Sequence, residues 1–250
     1  QGMWQYESAI DVSGETGSLS ARNRYIGLTG DIGTLLVGVY DTPFKAVARS
    51  IDIFNETIAD SRTILGSINS ATNIFNQRAQ NSVFYKSPKI NGIQFKALYS
   101  ADYDGTGAAS VDAKTKELSS ASLVFDQGIL SLAAAFEGRR QESGLRIAAR
   151  IKTEGVFSSF IYESLANDNG GTVLDRNAFA FNFAYHIGLV SFALSYAIAD
   201  ANELSDETGA KMYSFGIFQS LSKNTRVYLT AAATTNGDNG NYLLASGDHG

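Results

Sequence analysis

The chain has 250 residues, and its 25 acidic and 20 basic side chains give a net charge of −5, which argues against a nucleic-acid partner. No cysteine is present, so disulfides and thiolate metal sites are excluded. No stretch approaches the roughly 18 apolar residues of a membrane-spanning helix, and the opening residues lack the basic-then-apolar order of a secretion signal, which predicts a mature chain or a fragment.

In chain order, the first signals are short alternating runs at 4–8, 24–29 and 34–40. Residues 41–81 then break the alternation, and a connection of that length predicts a functional loop. It carries apolar groups to bury, among them Val47, Ile51, Phe54, Ile64 and Leu65. The spacing of Ala48, Ile51, Asp52, Asn55, Glu56 and Ala59 predicts a short helix inside it. Strands resume at 82–86, 93–100, 117–125, 130–137, 145–152 and 156–164, continue at 178–187 and 190–198, and end at 213–217 and 227–231. Both prolines, Pro43 and Pro88, fall in connections, where no ladder hydrogen bond is lost.

The alternation is clearest at 178–187. Phe179, Phe181, Phe183, Tyr185 and Ile187 share one face, and Ala178, Ala180, Asn182, Ala184 and His186 share the other. A soluble β-sandwich would turn charged residues outward; as a binding module it is the alternative from another class. Here the second face is mostly Ala, Ser and Asn. Strands of about 9–11 residues are what a tilted barrel strand needs to cross a bilayer, and the short and long connections alternate as in outer-membrane barrels. The chain therefore reads as one all-β domain over 1–250, a transmembrane antiparallel β-barrel whose large apolar face meets lipid. Trp4, Tyr6, Tyr25, Tyr99, Tyr185 and Tyr213 are expected in girdles on that face.

The same alternation puts Lys96, Arg146, Arg150 and Lys152 on small-residue faces, hence on the water side. A midplane Arg facing lipid costs about 2–4 kcal/mol. With Tyr25 assigned to lipid, Arg22 and Arg24 are expected to point inward as well.

Three segments carry a family resemblance. RNRYIGLTGDIGTLLVGVYDTPFK at 22–45 resembles the hairpin and DTP-containing loop of the Gram-negative general diffusion porins. QNSVFYKSP at 80–88 and SLSKNTRVYLT at 220–230 are similar to the strand after that loop and to a hairpin near the family's C-terminus. The resemblance implies a barrel of about 16 strands, of which thirteen are visible here, with the first two and the last expected to be missing. It further implies a homotrimer in the bacterial outer membrane, in contact with lipid and lipopolysaccharide, that passes small hydrophilic solutes and ions without a cofactor. In the family the long third loop, here 41–81 and starting at Asp41, Thr42 and Pro43, folds inward and narrows the pore.

A constriction needs fixed charge, because field lines focus where water is squeezed between low-dielectric walls. Asp52, Glu56 and Asp60 recur at four-residue spacing, so a helix there would put them on one face as the acidic side. Arg22, Arg24, Lys96, Arg146, Arg150 and Lys152 are the candidate basic wall. Where the family often has a basic residue before DTP, Val39 and Tyr40 stand here, which argues against strong anion selectivity. Acids on the long connections, such as Asp102, Asp104, Asp200, Glu203 and Asp206, fall on one rim and predict a mild cation preference. A substrate-specific anion or sugar porin is the alternative within the fold, and it requires a ladder of inward Lys and Arg or stacked aromatics.

No catalytic set stands out. With only His186 and His249, neither a two-histidine metal site nor a serine triad has support, and no phosphate-binding glycine loop or nucleophile elbow is present. Asp102-Tyr103-Asp104-Gly105 matches a fragment of a calcium loop without its closing Glu. The expectation is a channel and not an enzyme.

Overall fold

The computed structural model describes residues 1–10, 19–67, 75–105, 116–139, 142–169, 172–173, 175–203 and 205–244, so His249 and the rim acids Asp11, Glu15, Asp112 and Asp248 lie outside it. Most of the described chain is one antiparallel sheet. Its strands are β1 (Gly2–Ile10), β2 (Leu19–Gly30), β3 (Gly33–Asp41), β4 (Arg78–Lys86) and β5 (Ile93–Ser100). They continue as β6 (Leu118–Gln127), β7 (Leu130–Arg139), β8 (Glu142–Lys152), β9 (Val156–Asn169) and the two-residue β10 (Thr172–Val173). The series closes with β11 (Arg176–Ile187), β12 (Val190–Ala199), β13 (Ala210–Ser220) and β14 (Arg226–Asn236). Each long strand pairs with the next in sequence, β9 with β11, while β10 pairs only with β9; β1 and β14 end the path. The thirteen expected strands are all present; β5 matches its alternating run, and each of the others extends past its run at one or both ends.

The pleat sorts side chains as their sizes demand. Phe181 lies opposite Tyr196 on one side and Phe160 on the other, so aromatic groups run in rows across the outer face. Phe136, Phe181, Leu194, Tyr213 and Phe215 are all exposed there. A sheet whose exposed face is this apolar is suited to hydrocarbon, where every backbone group must find its partner inside the protein. At one rim the strands turn tightly. The two-residue connections 128–129 and 188–189 start with Gly128 at φ 63° and Gly188 at φ 58°, a conformation only glycine adopts without cost.

The opposite, inner face carries the core. Helix α1 (Pro43–Ile51) and the segment after it lie against β6 to β9 and on toward β13. Phe44, Val47, Ile51, Phe54, Ile64, Leu65 and Phe75 of this segment are buried against Ala148, Ile161, Leu165, Ala180, Ala197 and Met212 of the wall. The small inner-face residues thus serve chiefly to make room for the loop. Gly144 and Gly216 are the extreme cases: a Cβ on Gly144 would sit 2.8 Å from the Phe44 ring, and one on Gly216 2.7 Å from Phe54.

The expected helix is displaced toward the N-terminus. Thr42 caps it by accepting from the Lys45 N–H at 3.2 Å, and Pro43 occupies its first turn, where a missing N–H is harmless. It stops at Ile51 because the Asp52 carboxylate accepts from the Phe54 N–H at 2.8 Å, folding the chain into a turn that competes with helix.

The outward assignment of Tyr25 is overturned, and with it the inward assignment of Arg24. Ile26 and Leu28 are the exposed residues of β2, and Arg24 alternates with them on the outer face. Tyr25 faces inward, where its hydroxyl donates to Gln5 Oε1 at 2.8 Å and its ring meets Tyr40 edge-on at 5.3 Å.

Candidate functional site

The wall completes the bonding of α1 as well as its burial. Ser120 Oγ accepts from the Phe44 N–H at 3.1 Å. At the far end, where a helix leaves carbonyls unpaired, Arg150 Nη1 donates to Ser50 O at 3.1 Å and Ser159 Oγ to Ile51 O at 2.7 Å. Strand residues thus finish the helix at both ends and fix its position on the wall.

Beyond the helix, a buried ionic latch holds the loop. Arg146 on β8 donates Nε to Glu163 Oε2 at 2.6 Å, Nη1 to Phe44 O at 2.9 Å and Nη2 to Asn76 Oδ1 at 2.9 Å. Its guanidinium also lies 3.9 Å from the centre of the Phe44 ring. Glu163 on β9 accepts from the Gly66 N–H at 2.7 Å and from Arg176 Nη2 at 3.1 Å. Arg176 on β11 donates further to Ile64 O at 2.8 Å and to Ser67 O. All three side chains are fully buried. Arg146 does face inward, but the loop covers it and its charge is matched, so it does not line water as a basic wall residue would.

The acidic trio does not share a face either. Asp52 and Asp60 are buried inside the loop. Asp52 Oδ2 accepts from the Ser61 N–H at 2.8 Å and its Oγ at 2.6 Å, and Asp60 pairs with Arg62 at 2.5 Å. Glu56 is the most exposed of the three, on a left-handed backbone at φ 65° that its N–H stabilises by donating to Asp60 Oδ2 at 3.1 Å. Strain of this kind persists only where surrounding bonds hold it. The Glu56 carboxylate lies 2.9 Å from Arg49 and 3.8 Å from Arg22, which itself pairs with Glu7 at 2.6 Å. Asp41, where the loop begins, draws in Lys45 at 2.9 Å, Arg49 at 2.6 Å and Arg78 at 3.4 Å. The meeting of loop and β1–β4 wall is therefore a row of alternating charges.

Below the loop, on the short-turn side, two cavities of about 660 and 200 Å³ open along the inner face. Six cations line them, Arg49, Lys89, Lys96, Arg150, Lys152 and Arg226, against three carboxylates, Asp52, Asp126 and Glu154. Lys96, Arg150 and Lys152 are thus inward as their alternation indicated. Glu163, Arg176 and Arg226 were not singled out from sequence. Glu163 was legible in principle, since it is the one carboxylate of the 156–164 run and alternates with Tyr162.

Burial pushes the Asp52 carboxyl up to about 7 and the neighbouring Asp60 charge adds to this, while donors from Ser61 and Phe54 oppose it. Because this lies above its ordinary value of 3.8, the contribution of Asp52 to stability is complete at low pH and is lost as pH rises through about 7. Asp60 is held below its ordinary range despite burial, chiefly by the Arg62 bonds, so its contribution fails only on stronger acidification. The denaturant midpoint is expected to be higher at pH 5 than at pH 8, and Asp52→Asn to shrink the difference; an unchanged pH dependence in that variant refutes the assignment.

The sequence profile of the Gram-negative porins matches residues 1–239. No relative among curated proteins matches by sequence. Among solved structures, an anion-selective porin from Comamonas acidovorans superposes with a TM-score of 0.81 at 18% identity, over 95% of this chain and 74% of that one. Salmonella typhi OmpF in complex with daunomycin gives 0.72 at 14% identity, over 97% and 81%. In-vitro folded OmpT of Vibrio cholerae, in a trimer form, gives 0.68 at 15% identity, over 89% and 72%.

Proposed function

Because the chain belongs to the Gram-negative porin family, we propose that it serves the bacterial outer membrane as a passive, water-filled pore for small hydrophilic solutes and ions, with 41–81 as its constriction loop. The observation that carries this reading is the loop bonded to the inner face of a sheet whose other face is apolar. Assembly as a homotrimer follows the family and the trimer form of the Vibrio cholerae protein. Of the expected pore charges, Glu56, Arg22, Arg150 and Lys152 take the working roles, and Lys96 joins them from the wall.

The two ends differ in sign. Rim carboxylates such as Asp102, Asp104, Asp200 and Glu203 favour cations at the mouth, the basis for a mild cation preference. The six cations under the loop favour anions. A confined space between low-dielectric walls focuses its field, whereas rim charges are screened within about 8 Å at physiological salt. The inner end therefore dominates, and the pore prefers anions, the property named for the Comamonas porin. Reversal potentials across a salt gradient are expected to show that sign, and Lys152→Glu with Arg226→Glu to shift it toward cations. A cation-selective parent protein refutes the assignment of dominance to the inner end.

A further inference from the structure

We propose that the wall beneath α1 holds a binding site for a small divalent oxoanion, centred on Lys86 and Lys96. The two lysines are direct partners in the β4–β5 ladder, so both ammonium groups project from the same inner face. Directly opposed like charges repel and destabilise a sheet. Among the described residues no ion pair or hydrogen bond engages either ammonium. The carboxylate of the adjoining 200 Å³ cavity, Asp126, is already held by Lys89 at 3.0 Å and Arg150 at 3.2 Å.

Other donors nearby are spare. Arg150 lines the same cavity as Lys96, and its buried Nε has no acceptor. Ser122, the partner of Lys96 on β6, has a buried hydroxyl that makes no hydrogen bond. A doubly charged anion between the lysines cancels their repulsion and presents several acceptor oxygens to these donors. A chloride ion has one charge and no fixed geometry, so it gains less from the paired arrangement. The site rests on the reading of the interior as a water-filled pore, and it adds to that reading a preference for charge number and shape.

Inorganic phosphate is the probe. In planar bilayers with phosphate as the sole mobile anion, current through the parent protein is expected to saturate as phosphate rises. The double variant Lys86→Gln, Lys96→Gln is expected to need roughly tenfold more phosphate to reach half-saturation, since it loses charged hydrogen-bond donors. Lys211→Gln, on the outer face of β13 and away from the site, is expected to keep the parent value. Phosphate current that stays linear in the parent overturns the proposal, as does a double variant with the parent's half-saturation. Conductance in potassium chloride, measured on the same channels, verifies that each variant still forms a pore. Its absence in the parent would sink the pore reading and the site together.

Discussion

Glu163→Ala should release the loop from the wall, giving a larger single-channel conductance and open-state noise that the parent lacks. Glu163 is the shared anion of two buried guanidiniums, Arg146 and Arg176, and the acceptor for the Gly66 N–H. Removing one partner of a buried ion pair costs about 3–5 kcal/mol, because the other charge stays desolvated and unmatched. The sheet keeps its ladders in this variant, so the cost falls on the loop. Both arginines can regain water only by parting from Phe44, Asn76, Ile64 and Ser67, the groups that hold the loop in place. Glu163→Gln keeps an acceptor oxygen and lies between. A Glu163→Ala barrel with unaltered conductance and quiet current would show that apolar contact alone seats the loop.

Phe44→Ala is the second large effect, with an expected loss of about 3–5 kcal/mol from the cavity left behind. The ring fills a space bounded by Gly144, Phe75 and the Arg146 guanidinium. Gly144→Val overfills the same space, at about 1–3 kcal/mol. The two substitutions should not add. With the ring gone, the valine loses the atom it strikes first, and its cost in the Phe44→Ala background should shrink. Denaturant unfolding from lipid vesicles measures all three variants, and strict additivity would place Phe44 elsewhere.

Much of the sheet is legible in the sequence. β11 and β12 alternate bulky and small residues without a break, so strand, length and facing all follow from one rule. β2 was harder. Tyrosine is amphipathic, so Tyr25 suits a lipid girdle and an interior equally well, and Ile26 with Leu28 was the firmer guide to its faces. The registers of β1 on β2 and of β3 on β4 also slip at Tyr6/Ser8 and Gly38/Tyr40, irregularities that a period of two does not reveal. The loop's length and apolar content marked it as important. Its acids misled, because an even four-residue spacing is compatible with a helix and with the turn that Asp52 builds. Small inner-face residues suit a wetted wall and a docking surface alike, and only the partner across the gap distinguishes them.

The reach of the latch along the chain sets a schedule for assembly. Arg176 bonds to Ile64 and Ser67 across 112 and 109 residues. Contacts so distant form slowly, because the intervening chain must first be ordered. Fastening must await the arrival of β11 beside β9, and by then most of the sheet has been laid down. The loop is accordingly expected to dock on the wall as one of the last acts of folding.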